Sequence, residues 1–305
     1  MLAAFLTTIC FSVSAISGHR CAKALGGLEA NFWRLAIAAV LLGCYSILGG
    51  GHLFGAAFGA FALSGLVGVG CGDMAFFQAL PRLGSRLTVL LIQCLSVPIA
   101  ALAEWLWLGT KLTGPQALCG VLILAGIWMA LAPPKDTHAL LPGKKSTGII
   151  FAVLAAAGNG LGAVLSRNAY RISRAAGEDL DGPTAALDRI MGGLFIAALV
   201  VLIVRWRQVQ WRLRPAELGN ALEQKWRPIW PWVLTTSLAG QTLGVSCFQW
   251  ALKSYPTGVI LPIVALTPLV TIPLSWAIEQ ERPCLRSLSG GIVAVSGVIA
   301  LLSLK

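Results

Sequence analysis

The second half of the chain repeats the glycine and apolar pattern of the first half. When the second half is aligned on the first, Gly291 and Gly297 fall on Gly120 and Gly126. The same alignment, adjusted slightly in the loops, pairs Gly240 with Gly68, Gly244 with Gly72 and Phe248 with Phe76. Each copy contains five apolar segments, and because five is odd, the second copy has to enter a membrane upside down relative to the first. Inverted repeats of this kind are typical of secondary transporters, whose binding site lies at the repeat interface.

Ten segments are apolar enough and long enough to cross a bilayer. Hydrophobic residues make up 57% of the chain and charged residues only 11%, whereas one span needs about 20 mostly apolar residues. The predicted spans are 1–18, 29–48, 57–80, 87–108 and 115–133 in the first copy, and 147–166, 184–204, 229–251, 257–278 and 287–304 in the second. Residues 1–18 lack a basic n-region, so we interpret them as the first span and not as a signal peptide.

Such apolar runs are helices, because a lipid-exposed strand edge would leave backbone groups without hydrogen bonds. The sequence therefore predicts an all-α polytopic membrane protein with ten transmembrane helices, arranged as two inverted five-helix repeats. The first repeat covers residues 1–133 and the second covers residues 147–305. Residues 134–146 form the linker between them.

The formal net charge of +11 is carried mostly by short loops beside the spans. Basic residues there are typical of topology signals and of contacts with anionic lipid headgroups, so we expect no nucleic-acid partner. The loops after odd-numbered spans carry most of them, and the positive-inside rule then places both termini outside. The chain contains no GxxxxGK[ST], GxSxG or HExxH motif and no CxxC among its eight cysteines, so we expect no cofactor, metal or catalytic centre.

Several stretches resemble EamA-type carriers of the drug/metabolite transporter superfamily. Residues 72–80, GDMAFFQAL, resemble the third span of that family, and residues 107–113, WLGTKLT, resemble its junction between the fourth and fifth spans. Arg34 and Arg189 resemble the arginine that opens the second span of each repeat. The resemblance implies a central cavity formed by spans three, four, eight and nine, flanked by spans one and six. It also implies cytoplasmic termini, which disagrees with the charge count and leaves the orientation open.

The chain departs from the family pattern at one junction. The family usually has a glutamate after the fourth span, where this chain has Thr110, whereas Glu281 keeps the acid in the second copy. Whatever that acid contributes in the first repeat is absent or comes from Glu104.

Asp73 is the most informative polar residue. It lies about 6 Å past the middle of the third span at a rise of 1.5 Å per residue, and a carboxylate at such depth by default marks a substrate or ion pathway. Burial favours its neutral, protonated form, which is what a proton-coupled carrier requires. Phe76 and Phe77 share its helix face. The alternative is a protonated or paired carboxyl that holds helices together.

Amide side chains provide uncharged hydrogen-bonding groups for a polar solute. Gln78 follows the aromatic pair of the third span, Gln249 and Trp250 stand near the matching level of the eighth span, and Gln241 lies about two turns earlier. We predict that these residues contact the solute, although intramembrane amides also join helices to one another.

Charged residues elsewhere are expected to gate or to support the site. Arg34, and Arg189 beside Asp188, begin their spans near an interface, and we interpret them as anchors, with gating or anion binding as the alternative. Glu104 lies close to Trp105 in an interfacial belt, and we expect its carboxylate to reach water.

Glycine and proline mark possible interruptions of the spans. Asn159 lies between two glycines, where the sixth helix is expected to be tightly packed or locally unwound, and we predict that it contacts the solute. Pro98 in the fourth span and Pro268 in the ninth each remove a backbone hydrogen bond and free a carbonyl. Interrupted spans in corresponding positions indicate a binding site, whereas kinks without ligand contact are the alternative.

We therefore predict a secondary transporter of a small organic solute, such as an amino acid, a metabolite or a drug-like compound. It would be an exporter that works by alternating access and is driven by protons, in a bacterial inner membrane. Membrane lipids are expected partners, and the glycine-rich faces also fit a homodimer. The alternative functions are a lipid flippase or a non-transporting membrane subunit; a membrane enzyme is least favoured, because no catalytic constellation is present.

Overall fold

The described part of the protein consists of helices joined by short turns. The computed structural model describes residues 1–48, 54–110, 113–131, 142–211, 226–271 and 285–303, and it contains no strand within these ranges. The helices are α1 (Leu2–Leu25), α2 (Gly27–Leu48), α3 (Phe58–Gly65), α4 (Asp73–Leu108), α5 (Gly114–Leu131), α6 (Pro142–Ala175), α7 (Gly182–Trp211), α8 (Trp230–Thr235), α9 (Val245–Ser254), α10 (Thr257–Val264) and α11 (Leu285–Ser303). Two π-helical segments, Leu66–Gly72 and Thr236–Gly244, lead directly into α4 and α9.

Six helical segments are long and apolar enough to cross a membrane. They are Leu2–Leu25, Gly27–Leu48, Phe58–Leu80, Thr88–Leu108, Ser146–Ala175 and Gly182–Val204. Shorter apolar helices cover Gly114–Met129, Thr257–Thr271 and Ser289–Leu301. The prediction of a multi-pass helical membrane protein is confirmed, whereas the count of ten spans and the inverted orientation stay predictions. Most of the predicted linker, and Glu281, lie outside the described residues.

The helical run of α4 contains a reversal of chain direction. From the end of the first π segment through α4, the contacts with α6 are, in chain order, Gly72 with Gly158, Leu83 with Gly148, Ser96 with Gly160 and Glu104 with Arg167. The partner on α6 therefore moves towards the start of α6 and then back along it. A straight helix cannot make both sets of contacts, so α4 contains parts of two spans that both pack on α6.

The two π segments occupy equivalent positions in the two halves of the sequence. They end at Gly72 and Gly244, which the internal repeat pairs with one another. A π turn widens the helix and leaves its backbone bonding irregular, and such turns are frequent at functional sites. The same local irregularity thus recurs in both copies of the repeat, at the entrance to the helix that carries Asp73 and to its counterpart α9.

Contacts between the two halves are reciprocal. Helix α1 packs on the second π segment and α6 packs on the first, while α2 packs on α7 and α5 packs on α11. The first helix of each copy therefore lies against the third predicted span of the other copy. This exchange places both π segments at the boundary between the halves.

The ninth predicted span is broken near Pro268. Helix α10 ends at Val264, and Pro268 has no N–H to donate to the Val264 carbonyl one turn earlier. The Thr267 hydroxyl donates to that carbonyl instead, at 2.6 Å. On α1, the hydroxyl of Ser12 donates to the Thr267 carbonyl at 2.9 Å. One hydroxyl of the segment itself and one of the neighbouring α1 thus satisfy backbone carbonyls at the break, as the membrane interior demands.

Glycine is required where α3 crosses α7. A Cβ atom on Gly65 would lie 1.6 Å from the backbone oxygen of Arg189, and one on Gly192 would lie 1.9 Å from the backbone oxygen of Ala62. Both obstacles are backbone atoms, which cannot move aside without separating the helices.

We expect Gly65→Ala to destabilise the protein severely, because the added methyl group forces α3 away from α7. The apparent melting temperature in detergent should fall by roughly 10 °C or the protein should fail to fold, since overpacking costs on the order of 1–3 kcal/mol or more. Gly59→Ala on the same helix is the matched control, because a Cβ there meets no atom within 4 Å. Equal melting temperatures for the two variants would contradict this packing.

Candidate functional site

A cavity lies between the two halves of the molecule. Its volume is about 160 Å³, and its lining residues come from α1, α2, α4, α6, α7, α9, α10 and both π segments. Its polar or charged lining residues are Ser14, Arg34, Asp73, Gln93, Asn159, Arg189, Gln241 and Thr267. The remaining lining residues are apolar or glycine, and they include four phenylalanines. The cavity is thus an apolar chamber with a few charged and amide groups, as is typical of a small-molecule site.

Several positions that the internal repeat pairs with one another both line the cavity. The lining positions that the repeat pairs are Gly68 with Gly240, Val69 with Gln241, Asp73 with Val245 and Phe76 with Phe248. Arg34 and Arg189, each near the start of the second span of its copy, also line the cavity. Equivalent positions of both copies therefore face the same chamber, but Asp73 has an apolar counterpart.

Asp73 and Arg34 form an ion pair inside the cavity. One oxygen of Asp73, Oδ2, lies 2.6 Å from Arg34 Nη2 and accepts a second hydrogen bond from Gln241 Nε2 at 3.3 Å. Arg34 Nη2 also donates to Asn31 Oδ1 at 2.8 Å. The Arg34 side chain is 8% exposed and that of Asp73 is 27% exposed. Three elements, α2, α4 and the second π segment, therefore meet at a single carboxylate.

Arg189 is the second guanidinium of the cavity, and it is only 3% exposed. Among the described residues no carboxylate lies within 4 Å of it, and its Nε makes no hydrogen bond. A Cβ on Gly68 would lie 2.5 Å from Arg189 Nη2, so the glycine of the first π segment leaves the space that the guanidinium fills.

Aromatic rings accompany both arginines. The Arg34 guanidinium carbon lies 5.0 Å from the centre of the Phe77 ring, and the Arg189 guanidinium carbon lies 5.8 Å from the centre of the Phe248 ring. These distances permit cation–π attraction. Phe11 of α1 lies 6.3 Å from Phe248, centre to centre, and extends the apolar wall between the two halves.

Seven residues singled out from the sequence line this cavity. Asp73, Phe76, Phe77, Asn159 and Gln241 are five of the residues predicted to contact the solute, and Arg34 and Arg189 are the other two. Both arginines are buried and face the chamber, a position that fits the anion-binding alternative better than surface anchoring.

Three other predicted contact residues lie outside the cavity. The side-chain oxygen of Gln78 accepts a hydrogen bond from Arg82 Nη1 at 2.8 Å. Gln249 donates to the Ser166 hydroxyl at 3.2 Å and is fully buried between helices. Trp250 is 62% exposed on the outer surface. The prediction placed Gln249 and Trp250 at the right depth along the eighth span but did not consider which side of the helix faces the cavity. Phe248 faces the cavity, and the next two residues point away from it.

Glu104 does not reach water, and that expectation is wrong. Its side chain is 3% exposed, and Oε1 lies 2.8 Å from Arg167 Nε. Oε2 accepts hydrogen bonds from the backbone N–H of Thr257, at 2.8 Å, and from its hydroxyl. Glu104 thus caps the N-terminus of α10, where a carboxylate also interacts favourably with the helix dipole.

The remaining predicted support residues lie outside the cavity lining. Asp188 is buried at 2% exposure, and Pro98 faces outward. Pro268 is buried beside the break of the ninth predicted span, where the neighbouring Thr267 does line the cavity. The proline therefore affects the cavity wall through the backbone of Thr267 and does not line the cavity itself.

Several lining residues escape prediction from the sequence. Phe248 enters the sequence argument only as the repeat counterpart of Phe76, and that pairing is the signal that could have identified it. Gln93 is an amide in an otherwise apolar stretch of the fourth predicted span, which is a usable signal in a membrane helix. Ser14 and Phe11 of α1 give none, because small hydroxyl and aromatic residues are common throughout such helices.

The long apolar helices define a polytopic helical membrane protein. A model of the EamA-like transporter family matches residues 1–132 and again residues 146–303. The chain therefore belongs to the EamA-like transporter family, as the resemblance predicted. It is a multi-pass membrane protein of a family of small-solute transporters.

Comparison with solved structures supports the fold. One crystal structure, described only as that of a protein, superposes with a TM-score of 0.74 at 13% sequence identity and covers 99% of this chain and 96% of its own. At that identity the likeness shows the fold alone. No curated protein matches the chain.

The stability of the cavity should depend on the pairing of Arg34 with Asp73. Arg34→Gln leaves the half-buried Asp73 carboxylate with one amide partner, and Asp73→Asn leaves the buried Arg34 guanidinium without its acid. We expect each single change to lower the free energy of unfolding, and the double variant to lose less than the sum by about 1–3 kcal/mol. Denaturant titration of the four proteins in detergent measures this coupling; strict additivity would show that the pair contributes nothing.

Proposed function

We propose that the protein is a secondary transporter that carries a small organic solute through the cavity between its two halves. The observation that carries the proposal is the placement of the Asp73–Arg34 ion pair in a mostly apolar chamber whose wall is drawn from both copies of the repeat. Ionisable groups inside a membrane protein are costly and mark solute or ion pathways. The protein would bind an amino acid, a metabolite or a drug-like compound of about the size of one ring, since the chamber is small.

Movement of one repeat against the other would expose the chamber to each side in turn. In this proposal the repeats are residues 1–133 and 147–305, inverted relative to one another and joined by residues 134–146. The π segments and the break near Pro268 lie in the cavity wall, and interrupted helices are where transporters place binding sites and bend. Reciprocal packing of the two halves supports a rocking motion about their boundary.

Asp73 is the proposed proton carrier. Its carboxylate is reached from the cavity and is held by Arg34 and Gln241. Protonation removes the charge that attracts Arg34, so it loosens the connection between α2 and α4. A proton and a change of conformation would then be linked at one ion pair, and the proton gradient would drive outward transport of the solute.

The size of the chamber favours a solute over a lipid. A volume of about 160 Å³ holds a ring-sized body and is much smaller than a phospholipid. A lipid flippase or a non-transporting subunit stays the alternative. Lipid contacts, a homodimer and a bacterial inner membrane location stay predictions.

The solute is sought first with purified protein in detergent. Thermal unfolding is followed against amino acids, nucleosides, sugars, organic acids and cationic drugs. A ligand of the folded state at one hundred times its Kd stabilises the protein by about 2.7 kcal/mol. Stabilisation by lipids alone, with no response to any solute, would favour the flippase or subunit.

Asp73→Asn is expected to abolish proton-driven accumulation of the solute found in this way, because an amide cannot carry the proton. Counterflow, which exchanges solute for solute, should persist, since the cavity remains. Both are measured in proteoliposomes with an imposed pH gradient. Asp179→Asn is the control, because Asp179 is an exposed aspartate outside the cavity. Full proton-driven transport by Asp73→Asn would contradict the proton role.

A further inference from the structure

The two halves of the cavity differ in charge at equivalent positions. Arg34 of the first copy pairs with Asp73, and Arg189 is its equivalent in the second copy. The residue equivalent to Asp73 is Val245, which also lines the cavity. The second copy therefore retains the guanidinium but has a valine at the position that the acid occupies in the first copy.

The charges of the cavity do not balance. Its charged lining residues are Arg34, Asp73 and Arg189, so with all three ionised the sum is +1. A buried charge without a partner is costly in a medium of low dielectric constant. Arg189 is almost fully buried and lacks an ion-pair partner among the described residues. One negative charge supplied from outside the chain would complete the arrangement.

The apolar part of the cavity wall favours a solute with a small hydrocarbon portion. Phe76, Phe248 and Phe11 form much of the wall, and the volume of about 160 Å³ is close to that of a cavity that accommodates benzene. An anionic solute of this size has a compact hydrocarbon or single-ring body and one charged group.

We propose that the solute is a compact organic monocarboxylate whose carboxylate binds Arg189 in the place that an aspartate at position 245 would take. This inference rests on the proposed transport function and narrows its substrate class. The guanidinium presents paired N–H donors that match a carboxylate. The ring or chain of the solute lies against Phe248 and Phe76, and Asn159 and Gln93 offer amide groups to any further polar atom.

The net charge of the occupied cavity distinguishes a monocarboxylate from a zwitterion or a cation. A monocarboxylate brings the sum of the cavity to zero, whereas a zwitterion leaves +1 and a cation raises it to +2. A cation would have to compete with Arg34 for Asp73, whose Oδ2 already accepts two hydrogen bonds. Removing the charge of Asp73 should therefore strengthen the binding of a carboxylate and weaken the binding of a cation.

The test uses benzoate, its neutral amide benzamide and the cation benzylamine as probes. Binding to the full-length protein in detergent at neutral pH is measured by calorimetry for the native protein, Arg189→Gln, Asp73→Asn and Arg20→Gln. Arg20 lies outside the cavity, over the ring of Trp232, so its variant is the matched arginine control. Melting temperatures recorded without probe show that each variant is folded; Arg189→Lys, which keeps the charge, replaces Arg189→Gln if the latter does not fold.

We expect benzoate to bind and the other two probes to bind at least tenfold more weakly. Arg189→Gln should weaken benzoate binding about 30-fold or more, as loss of a buried charged partner does, and Arg189→Lys should weaken it less. Asp73→Asn should strengthen binding, and Arg20→Gln should leave it unchanged. Preference for benzylamine, weaker benzoate binding by Asp73→Asn, or no benzoate binding at its solubility limit would overturn the proposal.

Transport is measured as counterflow in proteoliposomes, separately from binding. If benzoate fails but another solute shows counterflow in proteoliposomes, the transporter proposal stands and the carboxylate inference is wrong. If benzoate binds through Arg189 but no solute shows counterflow, the anion site stands and the transport function is wrong.

Discussion

The ion pair between Arg34 and Asp73 is the interaction on which the centre of the molecule depends. It joins α2 to α4, and through Gln241 it reaches the second π segment. A charge isolated at this depth would be costly, so the two side chains hold the helices that carry them in register. The same constraint makes Arg189 informative, since no carboxylate among the described residues lies within 4 Å of it. The arginine recurs in both copies of the repeat, whereas the acid occurs only in the first. The two sides of the chamber therefore differ in charge.

Backbone polar groups, like the charged side chains, need partners when they are buried in the membrane interior. At the break near Pro268, the Thr267 hydroxyl satisfies the Val264 carbonyl that the proline releases, and Ser12 of α1 donates to the Thr267 carbonyl. The π segments pack closely through glycine, as Gly68 shows where it leaves space for Arg189. These irregular segments lie at the boundary between the halves and line the cavity, where transporters tolerate them.

Much of this could be predicted from the sequence, and the misses have physical causes. Hydrophobic length predicted the helical membrane class, and the rarity of acids inside spans pointed to Asp73, which does line the cavity. The repeat paired Phe76 with Phe248 but did not fix helix phase, so Gln249 and Trp250 were placed at the right level on the wrong face. Glu104 was expected at the surface because its tryptophan neighbours suggest an interface. Its partner Arg167 lies in the other half of the sequence, and sequence proximity carries no sign of such a pair.

Solute protection of a cysteine at position 159 tests the central claim, that the chamber is the transport site. With the eight native cysteines replaced, Asn159→Cys places a thiol in the wall, and Ala176→Cys places one on an exposed surface outside it. In membrane vesicles, a water-soluble maleimide should reach position 159, and the transported solute should slow that reaction in proportion to its occupancy while position 176 reacts unchanged. A transported solute that leaves the reaction at position 159 unaffected would contradict the account.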